Sequence, residues 1–496
     1  MLKEQLLDNY EKKELLLLDT LYIGDGLVEK QQLLDTLNIS EKNLKRTIAS
    51  VHERLSRYVS TPVIEYRKGA YELSKEGRIN MGRVSSQYAA TSINYLIIRA
   101  YLEKESVQPE LLIDSLLISR SDLHRRIKII NQVIQEFDLQ IKYNKLRGTE
   151  LQIRYFEQLI SQHIFLEDDL AEMEKTTNSF QLLFDALESY YCMELEDIQK
   201  DKLSLWFANL LKNRKMTRGT TIIPAHITQY LTNNPHYGDF VDILINFFNR
   251  YAIQLSDIDK ASTYLFSLSF FVMPFSSKKT REIIDFSLER QDIVGVIIQW
   301  MIEKMEHSLT DETTSVITSL FYLYYMFNFH SQTIFFSGYL FYVDAFFIDF
   351  YQNFNYNKEP VVRNWINQLC EEPNFQQTCL CNNKEFLFYK YMLMVYQEKS
   401  FIVSPMQVGV SLFTDPLMEQ ILIDRLQKEL SKNHSVHVEC YQKDHVYDLV
   451  VVNIPNQLKK KNYELEFVVS SIGTTRDKQE IGKKLTELQR KRLAST

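Results

Sequence analysis

Residues 118–137 combine a group of positive side chains with the periodicity of a helix. The stretch reads ISRSDLHRRIKIINQVIQEF, and its arginines, its lysine and its histidine all fall within the first eleven residues. Arginine can bind guanine in a bidentate manner, and arginine and lysine both neutralise phosphates. The N–H groups of a helix's first turn also attract phosphate. The segment therefore predicts a helix that lies against a polyanion, with an ordinary solvated basic face as the alternative.

A second copy of this pattern lies 79 residues earlier. With that shift, LLDTLNIS (33–40) superposes on LIDSLLIS (112–119). Five apolar residues follow in each copy and step by 4, 3, 4 and 3, which places them on one stripe of an α-helix. These residues are Leu44, Ile48, Val51, Leu55 and Tyr58 in the first copy, and Leu123, Ile127, Ile130, Ile134 and Phe137 in the second. A repeat of spacing with little identity predicts two copies of one fold.

Each copy has the same order of predicted elements, which is the order of a winged helix-turn-helix. An apolar helix and a short helix come first, at about 11–22 and 29–37 and again at about 89–104 and 107–117. A serine, Ser40 or Ser119, then precedes the long helix as its expected N-cap, and Asp122 stands three residues after Ser119. A hairpin follows at 63–73 and at 139–153, with Gly69 and Gly148 expected at the turns.

Basic and polar residues on the exposed faces of these elements are the candidate DNA contacts. Residues of the long helices are expected to reach bases, and residues of the hairpins to meet the backbone. Arg126 borders the apolar stripe and is expected to contact phosphate. We expect the second copy to dominate binding. The candidates are Ser119, Arg120, Ser121, His124, Arg125, Arg126, Lys128, Lys142, Lys145 and Arg147 in the second copy, and Lys42, Asn43, Lys45, Arg46, Arg67 and Lys68 in the first.

Charge and composition agree with a local binding surface on a mostly helical chain. Residues 1–150 contain 23 Lys/Arg against 21 Asp/Glu, while the whole chain of 496 residues has 57 against 64. Nucleic-acid binding is therefore expected near the N-terminus. Only 13 glycines and 10 prolines occur, which favours helices.

No motif points to an enzyme, a cofactor, a metal or a membrane. Glycine-rich phosphate loops, Gly-x-Ser-x-Gly and His-Glu-x-x-His are absent from the sequence. The five cysteines are too few and too scattered for a disulfide framework, so a cytoplasmic protein is expected. The N-terminus lacks the apolar core of a signal peptide. Segment 320–356 is strongly apolar, but polar residues interrupt it, so buried helices are expected there.

The rest of the chain predicts helical domains and a small C-terminal α/β domain. Strands are expected at 408–413, 436–440, 447–453 and 468–472, with helices between and after them, in a parallel sheet. The fold class is therefore mainly α. The predicted domains are 1–80 and 81–160 (winged helix-turn-helix units), 161–278 and 279–398 (all-helical bundles) and 399–496 (α/β).

With this order of domains, the chain resembles the Mga/AtxA family of transcriptional regulators of Gram-positive bacteria, a family that includes virulence regulators. The stretch RGTELQIRYFEQLI (147–160) is similar to the junction that precedes regulatory domains in that family. The resemblance implies two bundles like the phosphotransferase-regulated domain (PRD) and a C-terminal domain like enzyme IIB. It further implies dimerisation through the C-terminal domain, and histidine phosphorylation by phosphocarrier proteins of the sugar phosphotransferase system.

Two departures from the family pattern concern phosphate. The turn after the first strand of the IIB-like domain, VGVSLFTDP, has Ser411 where IIB enzymes carry phosphate on cysteine. In the bundles, SLWFANLLKNRK (204–215) has no histidine, which leaves His226 and His330 as the candidates for phosphorylation.

Three other functions remain open at this point. An RNA-binding antiterminator would have a β-rich N-terminal domain in place of capped helices. A phosphotransfer protein would need a Cys or His at the turn that holds Ser411. A helical scaffold whose winged domains bind protein would show no dependence of DNA binding on salt.

Overall fold

The structure is a computed structural model. It describes residues 6–23, 27–55, 64–67, 69–73, 81–164, 177–214, 216, 218–306, 319–339, 359–376, 378–402, 406–412, 414–431, 436–455, 458, 462–469, 474, 477–478, 480–485 and 487–488. By the density of its contacts the chain divides into two compact units. One contains residues 1–304, 318–352 and 363–388, and the other contains residues 305–317, 353–362 and 389–496.

The described part of the first repeat copy contains the three predicted helices and the predicted hairpin, and a third strand that was not predicted joins the hairpin. Its elements are α1 (Asn9–Ile23), β1 (Leu27–Glu29), α2 (Lys30–Leu37), α3 (Glu41–Leu55), β2 (Ile64–Arg67) and β3 (Ala70–Leu73). Strand β3 lies between β1 and β2. The predicted stripe of α3 is buried at Leu44, Ile48, Val51 and Leu55, while Tyr58 lies outside the described residues.

The second copy repeats the helices and ends in a shorter hairpin. Its elements are α4 (Met81–Thr91), α5 (Ile93–Glu103), α6 (Pro109–Leu116), α7 (Arg120–Ile134), β4 (Gln140–Lys142) and β5 (Lys145–Arg147). The single helix predicted over 89–104 is wrong, because the chain breaks at Ser92. There the Ser92 hydroxyl accepts the Tyr95 N–H at 3.2 Å and starts a new helix.

The turn of this hairpin differs from the prediction. Tyr143 and Asn144 form it, both with positive φ (53° and 59°), as a tight two-residue turn requires. Gly148 lies after β5, where a Cβ atom would come within 2.4 Å of Leu139 Cδ2. The chain then enters helix α8 at Glu150, so the predicted strand character of 151–153 is wrong.

Helices α8 to α18 form the helical region. They are α8 (Glu150–His163), α9 (Gln181–Tyr191), α10 (Asp197–Asn213), α11 (Ala225–Asn233), α12 (Pro235–Asn249), α13 (Asp257–Ser269), α14 (Lys278–Arg290), α15 (Ile293–Glu306), α16 (Leu320–Phe335), α17 (Glu359–Glu371) and α18 (Lys384–Ile402). Helix α16 is the described part of the apolar segment 320–356. It packs against α13 and is buried along most of its length. Within the described ranges, no helix is both long and apolar enough to cross a membrane.

The C-terminal domain contains a parallel four-stranded sheet. Its elements are β6 (Met406–Ser411), α19 (Pro416–Leu430), β7 (Val436–Cys440), β8 (Tyr447–Val452) and β9 (Tyr463–Val468). The strand order is β7-β6-β8-β9, and all three pairings are parallel. The fourth strand occupies 463–468 and not the predicted 468–472, of which residues 470–472 lie outside the described ranges. A mainly helical chain with a small α/β domain is confirmed; the five domain boundaries stay a prediction.

Candidate nucleic-acid interface

Helix α7 presents one basic face and buries the other. The Ser119 hydroxyl accepts the Asp122 N–H at 3.1 Å, which confirms Ser119 as the N-cap. Leu123, Ile130 and Ile134 are buried in the core of the unit. The predicted candidates on the opposite face are all exposed, and they are Arg120, Ser121, His124, Arg125 and Lys128.

Arg126 does not belong to that face. Its side chain is only 6% exposed, and it occupies the buried stripe where Ile127, half-buried, was expected. The guanidinium binds Asp8 at 2.9 and 3.1 Å, Asp122 at 2.9 Å and Asn94 at 3.0 Å. Asn94 in turn donates to the Leu6 carbonyl at 2.9 Å. Arg126 therefore ties α7 to the N-terminal segment of the first copy, and the prediction that it contacts phosphate has no support in this geometry.

Two of the exposed cations on α7 already have acidic partners. Arg120 pairs with Glu110 of α6 at 2.7 Å, and Arg125 contacts Asp122 through Nε at 3.1 Å. A hydrogen bond from Arg126, helped by Arg125, holds the pKa of Asp122 below its usual range. Arg120 and Arg125 are 69% and 58% exposed, so these ion pairs are weak and a phosphate can displace them.

The wing of the second copy is basic at three positions. Lys142 and Arg147 are exposed, and Lys142 lies 5.0 Å from the ring centre of Tyr143 at the turn. Lys145 is 35% exposed and pairs with Glu105 at 3.3 Å. Strand pairing fixes the register, with Lys142 opposite Lys145 and Gln140 opposite Arg147. Three cations therefore share one short ribbon.

The first copy offers exposed residues of the same types but balances them with acids. Ser40 caps α3, with its hydroxyl 3.4 Å from the Asn43 N–H. Lys42, Asn43, Lys45 and Arg46 are all exposed. Glu41 binds both Lys30 at 2.7 Å and Lys45 at 3.3 Å. In the wing, Arg67 pairs with Glu65 at 2.6 Å and Glu72 at 3.7 Å, and Lys68 lies outside the described residues.

A buried ion cluster joins the second copy to the helical region. Arg218, with a side chain 2% exposed, binds Glu150 at 3.0 Å and Glu157 at 2.8 Å on α8, and donates to the Leu102 carbonyl at 3.0 Å. Burial works against its charge, but the two carboxylates outweigh burial and raise the pKa of Arg218. Beside it, Thr220 exchanges backbone hydrogen bonds with Gly148 and Glu150 at 3.0 and 2.9 Å. Sequence reasoning missed this cluster, since Arg218 and its two glutamates are 61 and 68 residues apart in the chain.

The two candidate histidines occupy different environments. His226 is half-buried at the start of α11, and burial lowers its pKa. His330 lies on α16 and is fully buried, and burial lowers its pKa to about 3. A phosphocarrier protein therefore cannot reach His330 in this conformation, while His226 is only half-buried, with its Nε2 atom buried and without a hydrogen-bond partner.

The turn after the first strand of the C-terminal domain is occupied by the domain's own carboxylates. Asp415 accepts the Leu417 N–H at 2.8 Å and caps α19, and Glu419 accepts the Leu412 N–H at 2.7 Å. Ser411 ends β6 just before this turn. These two acids accept hydrogen bonds from N–H groups at the turn and at the start of α19, positions at which a bound phosphate would otherwise accept them.

A comparison with known protein families agrees with the fold of the second copy. Residues 78–159 match the model of the Mga helix-turn-helix domain, which spans α4 to α7, the wing and most of α8. A comparison with curated proteins found no match. The Mga helix-turn-helix domain is a domain of DNA-binding regulators, so the resemblance inferred from the sequence is confirmed over this segment. Residues 78–159 are thus similar to the helix-turn-helix domain of the Mga family, a family of DNA-binding regulators.

Proposed function

We propose that this chain is a transcriptional regulator that binds promoter-region duplex DNA through both winged helix-turn-helix units. Helix α7 enters the major groove with His124, Arg125 and Lys128 towards the bases. The wing cations Lys142, Lys145 and Arg147 meet the backbone. The observation that carries the proposal is the one-sided exposure of cations on α7, next to a ribbon with three more, within a segment that matches a DNA-binding domain.

Fluorescence anisotropy with the full chain tests this proposal. Promoter and random duplexes, and an RNA hairpin as competitor, would be titrated at two salt concentrations. We expect duplex DNA to bind best, with log K falling by about 0.9 per tenfold rise in salt for each phosphate contact. The variant R125Q/K128Q should bind more weakly. The matched control K278Q/R281Q removes two exposed cations from α14 and should bind as the parent does. Equal losses in both variants, or affinity independent of salt, would overturn the proposal.

We propose in addition that the activity responds to sugar phosphotransferase status through phosphorylation of His226. The support is the half-buried position of His226 at the start of α11; because its Nε2 atom is buried, the phosphate would be carried on Nδ1. Incubation of the full chain with a phosphorylated phosphocarrier protein should label it with acid-labile phosphate, detected by mass spectrometry at neutral pH. The label should disappear in H226A and remain in H236A. A label that survives H226A would contradict this assignment.

We propose finally that a second copy of the chain docks on the C-terminal domain. Helix α19 exposes an apolar stripe of Leu417 (69% exposed), Met418 (40%) and Ile421 (39%). A stripe of this kind is typical of a self-association surface. Light scattering should give the mass of a dimer for the full chain and of a monomer for L417E/I421E. The control V446E, outside α19 and 77% exposed in the parent, should stay dimeric. A dimer that persists in L417E/I421E would exclude this surface.

A further inference from the structure

A cavity of about 760 Å³ opens where the wing of the second copy meets the helical region. Its volume lies in the range of small-molecule sites. The exit of the wing lines it with Lys145, Arg147 and Thr149, and the start of α11 lines it with Ala225 and His226. Candidate DNA contacts of the wing thus line the same cavity as the start of α11 in the helical region.

The walls of the cavity are held in place by hydrogen bonds that do not depend on a ligand. The Thr220 N–H donates to the Gly148 carbonyl at 3.0 Å, and the Glu150 N–H donates to the Thr220 carbonyl at 2.9 Å. A Cβ on Gly219 would lie 2.6 Å from the Gly148 carbonyl oxygen, so this close approach needs glycine. The preceding residue, Arg218, is held in place by ion pairs with Glu150 and Glu157. The cavity is therefore preformed.

The start of α11 offers free hydrogen-bond donors to this space. Its N-cap is Pro224, which supplies no side-chain acceptor, and the first backbone bond of the helix runs from the Thr228 N–H to the Pro224 carbonyl at 3.0 Å. The N–H groups of Ala225, His226 and Ile227 have no acceptor within the helix, and all three residues line the cavity. The positive end of the helix dipole adds to their preference for an anion.

The charges along the walls leave a positive excess. Arg218 is neutralised by its two glutamates, which leaves Lys145 and Arg147 against one carboxylate, that of Asp138, which accepts a hydrogen bond from the Ser337 hydroxyl. Lys145 has an ion pair with Glu105 at 3.3 Å, but both side chains are partly exposed and the pair is weak. Arg147 is exposed on the last position of β5. An oxyanion at the start of α11 would therefore face two cations of the wing.

A buried polar group in the wall points independently to a ligand. Gln152 is 5% exposed and lines the cavity, and its Oε1 atom has no hydrogen-bond partner. Its Nε2 makes only a long contact of 3.7 Å with the Cys379 sulfur. A buried amide oxygen without a partner is costly, and a ligand hydroxyl would satisfy it. The walls thus suit a ligand with an anionic group and a hydroxyl.

We propose that this cavity binds a small phosphate monoester that carries a hydroxyl group, and that the bound ligand weakens DNA binding. The phosphate accepts hydrogen bonds from the start of α11 and pairs with Arg147 and Lys145, while the hydroxyl pairs with Gln152. Both wing cations are then drawn from the DNA backbone towards the cavity. The second half of this inference rests on the proposed DNA-binding function, and the first half does not.

The test uses the full chain with glycerol 3-phosphate and inorganic phosphate as probes, against chloride at the same ionic strength. At a tenfold excess over Kd, glycerol 3-phosphate should raise Tm by about 1–2 °C, and inorganic phosphate should raise it less. The shift should vanish in A225D, where a carboxylate takes up the donors of α11, and should shrink in R147Q and Q152L. The control K278Q removes an exposed cation of α14 outside the cavity and should keep the full shift.

DNA affinity is measured separately, so the two proposals can fail separately. Saturating glycerol 3-phosphate should raise the Kd for duplex DNA by at least about fivefold, the lower end of ordinary coupling between sites. The same addition should have no effect on A225D. Equal Tm shifts in all variants, or none in the parent, would overturn the cavity assignment even where DNA binding is intact. Absence of DNA binding without ligand would instead overturn the proposed function.

Discussion

The two helix-turn-helix copies share their buried spacing and differ in what surrounds it. Leu44, Val51 and Leu55 of α3 correspond to Leu123, Ile130 and Ile134 of α7, and all six are buried. Outside the core, both long helices pair cations with acids, and the difference lies in the wings: Arg67 of the first is paired with Glu65 and Glu72, whereas the second carries three cations, of which only Lys145 has an acidic partner among the described residues. The fold is thus maintained by a few apolar positions, while the capacity to bind a polyanion depends on residues that the fold leaves free to vary.

A second difference lies at one aligned position. Thr47 in α3 corresponds to Arg126 in α7, and only the latter reaches across to the other copy. Thr47 donates a hydrogen bond to the Asn43 carbonyl within its own helix, at 3.0 Å. The two copies therefore share three buried apolar positions on their long helices and differ in the contact that joins one copy to the other.

The largest effect is expected from R126M, which breaks this contact. Removal of the guanidinium leaves Asp8 and Asp122, each about a quarter exposed, without their main partner. We expect the free energy of unfolding to fall by about 2 kcal/mol, less than for a fully buried pair because water still reaches both carboxylates. Urea denaturation followed by circular dichroism measures this change. The aligned control T47A should change the free energy of unfolding by less than about 0.5 kcal/mol. A similar loss in both variants would show that the contact between the copies contributes no special stability.

The next largest effect is a change in the Kd for duplex DNA, which compares α7 and α3, the two helices proposed to face DNA. The variant R125Q/K128Q neutralises α7 and K45Q/R46Q neutralises α3, with two charges removed in each. We expect about a tenfold rise in Kd for duplex DNA in the α7 variant and about a threefold rise in the α3 variant, since the basic wing lies beside α7. Anisotropy titrations at one salt concentration give both values. A larger effect in the α3 variant would reverse the assigned order of the two copies.

The smallest effect should be a gain of affinity in the first copy. E65Q/E72Q removes the carboxylates that pair with Arg67, and so frees this cation for the backbone. We expect DNA affinity to rise by about twofold to threefold, in keeping with one additional phosphate contact. The control D285N/E289Q removes two acids from α14, far along the chain, and tests whether net charge alone is responsible. Unchanged affinity in E65Q/E72Q would show that the first wing does not lie on DNA.

The sequence predicts the repeated units because their signals are local. Apolar spacing identifies the long helices, Ser40 and Ser119 identify their starts, and alternation identifies the strands. The position of the hairpin turn at Tyr143–Asn144 was not predicted, because a tyrosine gives no sign in the sequence that its φ is positive. The α8 start at Glu150 was mistaken for a strand, since LQI alone suits either element.

Long-range contacts of polar residues could not be predicted. Arg126 was predicted to be a surface cation because its partner Asp8 is 118 residues away, and the sequence did not connect Arg218 with Glu157 and Glu150, which lie 61 and 68 residues earlier on α8. The same holds for the cavity, whose walls come from the wing, α8 and α11. Residue type and spacing carry no information on which distant segments meet, so these sites became visible only in three dimensions.

The contact from Arg126 to Asp8 has a consequence for the DNA sites that such a protein can use. Two reading helices held at a fixed separation enter their grooves together only when the two sequence elements have one particular spacing. An insertion of about five base pairs places the elements on opposite faces of the duplex, and one of about ten shifts the second element by a full helical turn of about 34 Å. Copies joined by a loose tether would tolerate both insertions. Under the proposed binding mode, the Arg126–Asp8 contact would make the length of DNA between the two elements part of what the protein recognises.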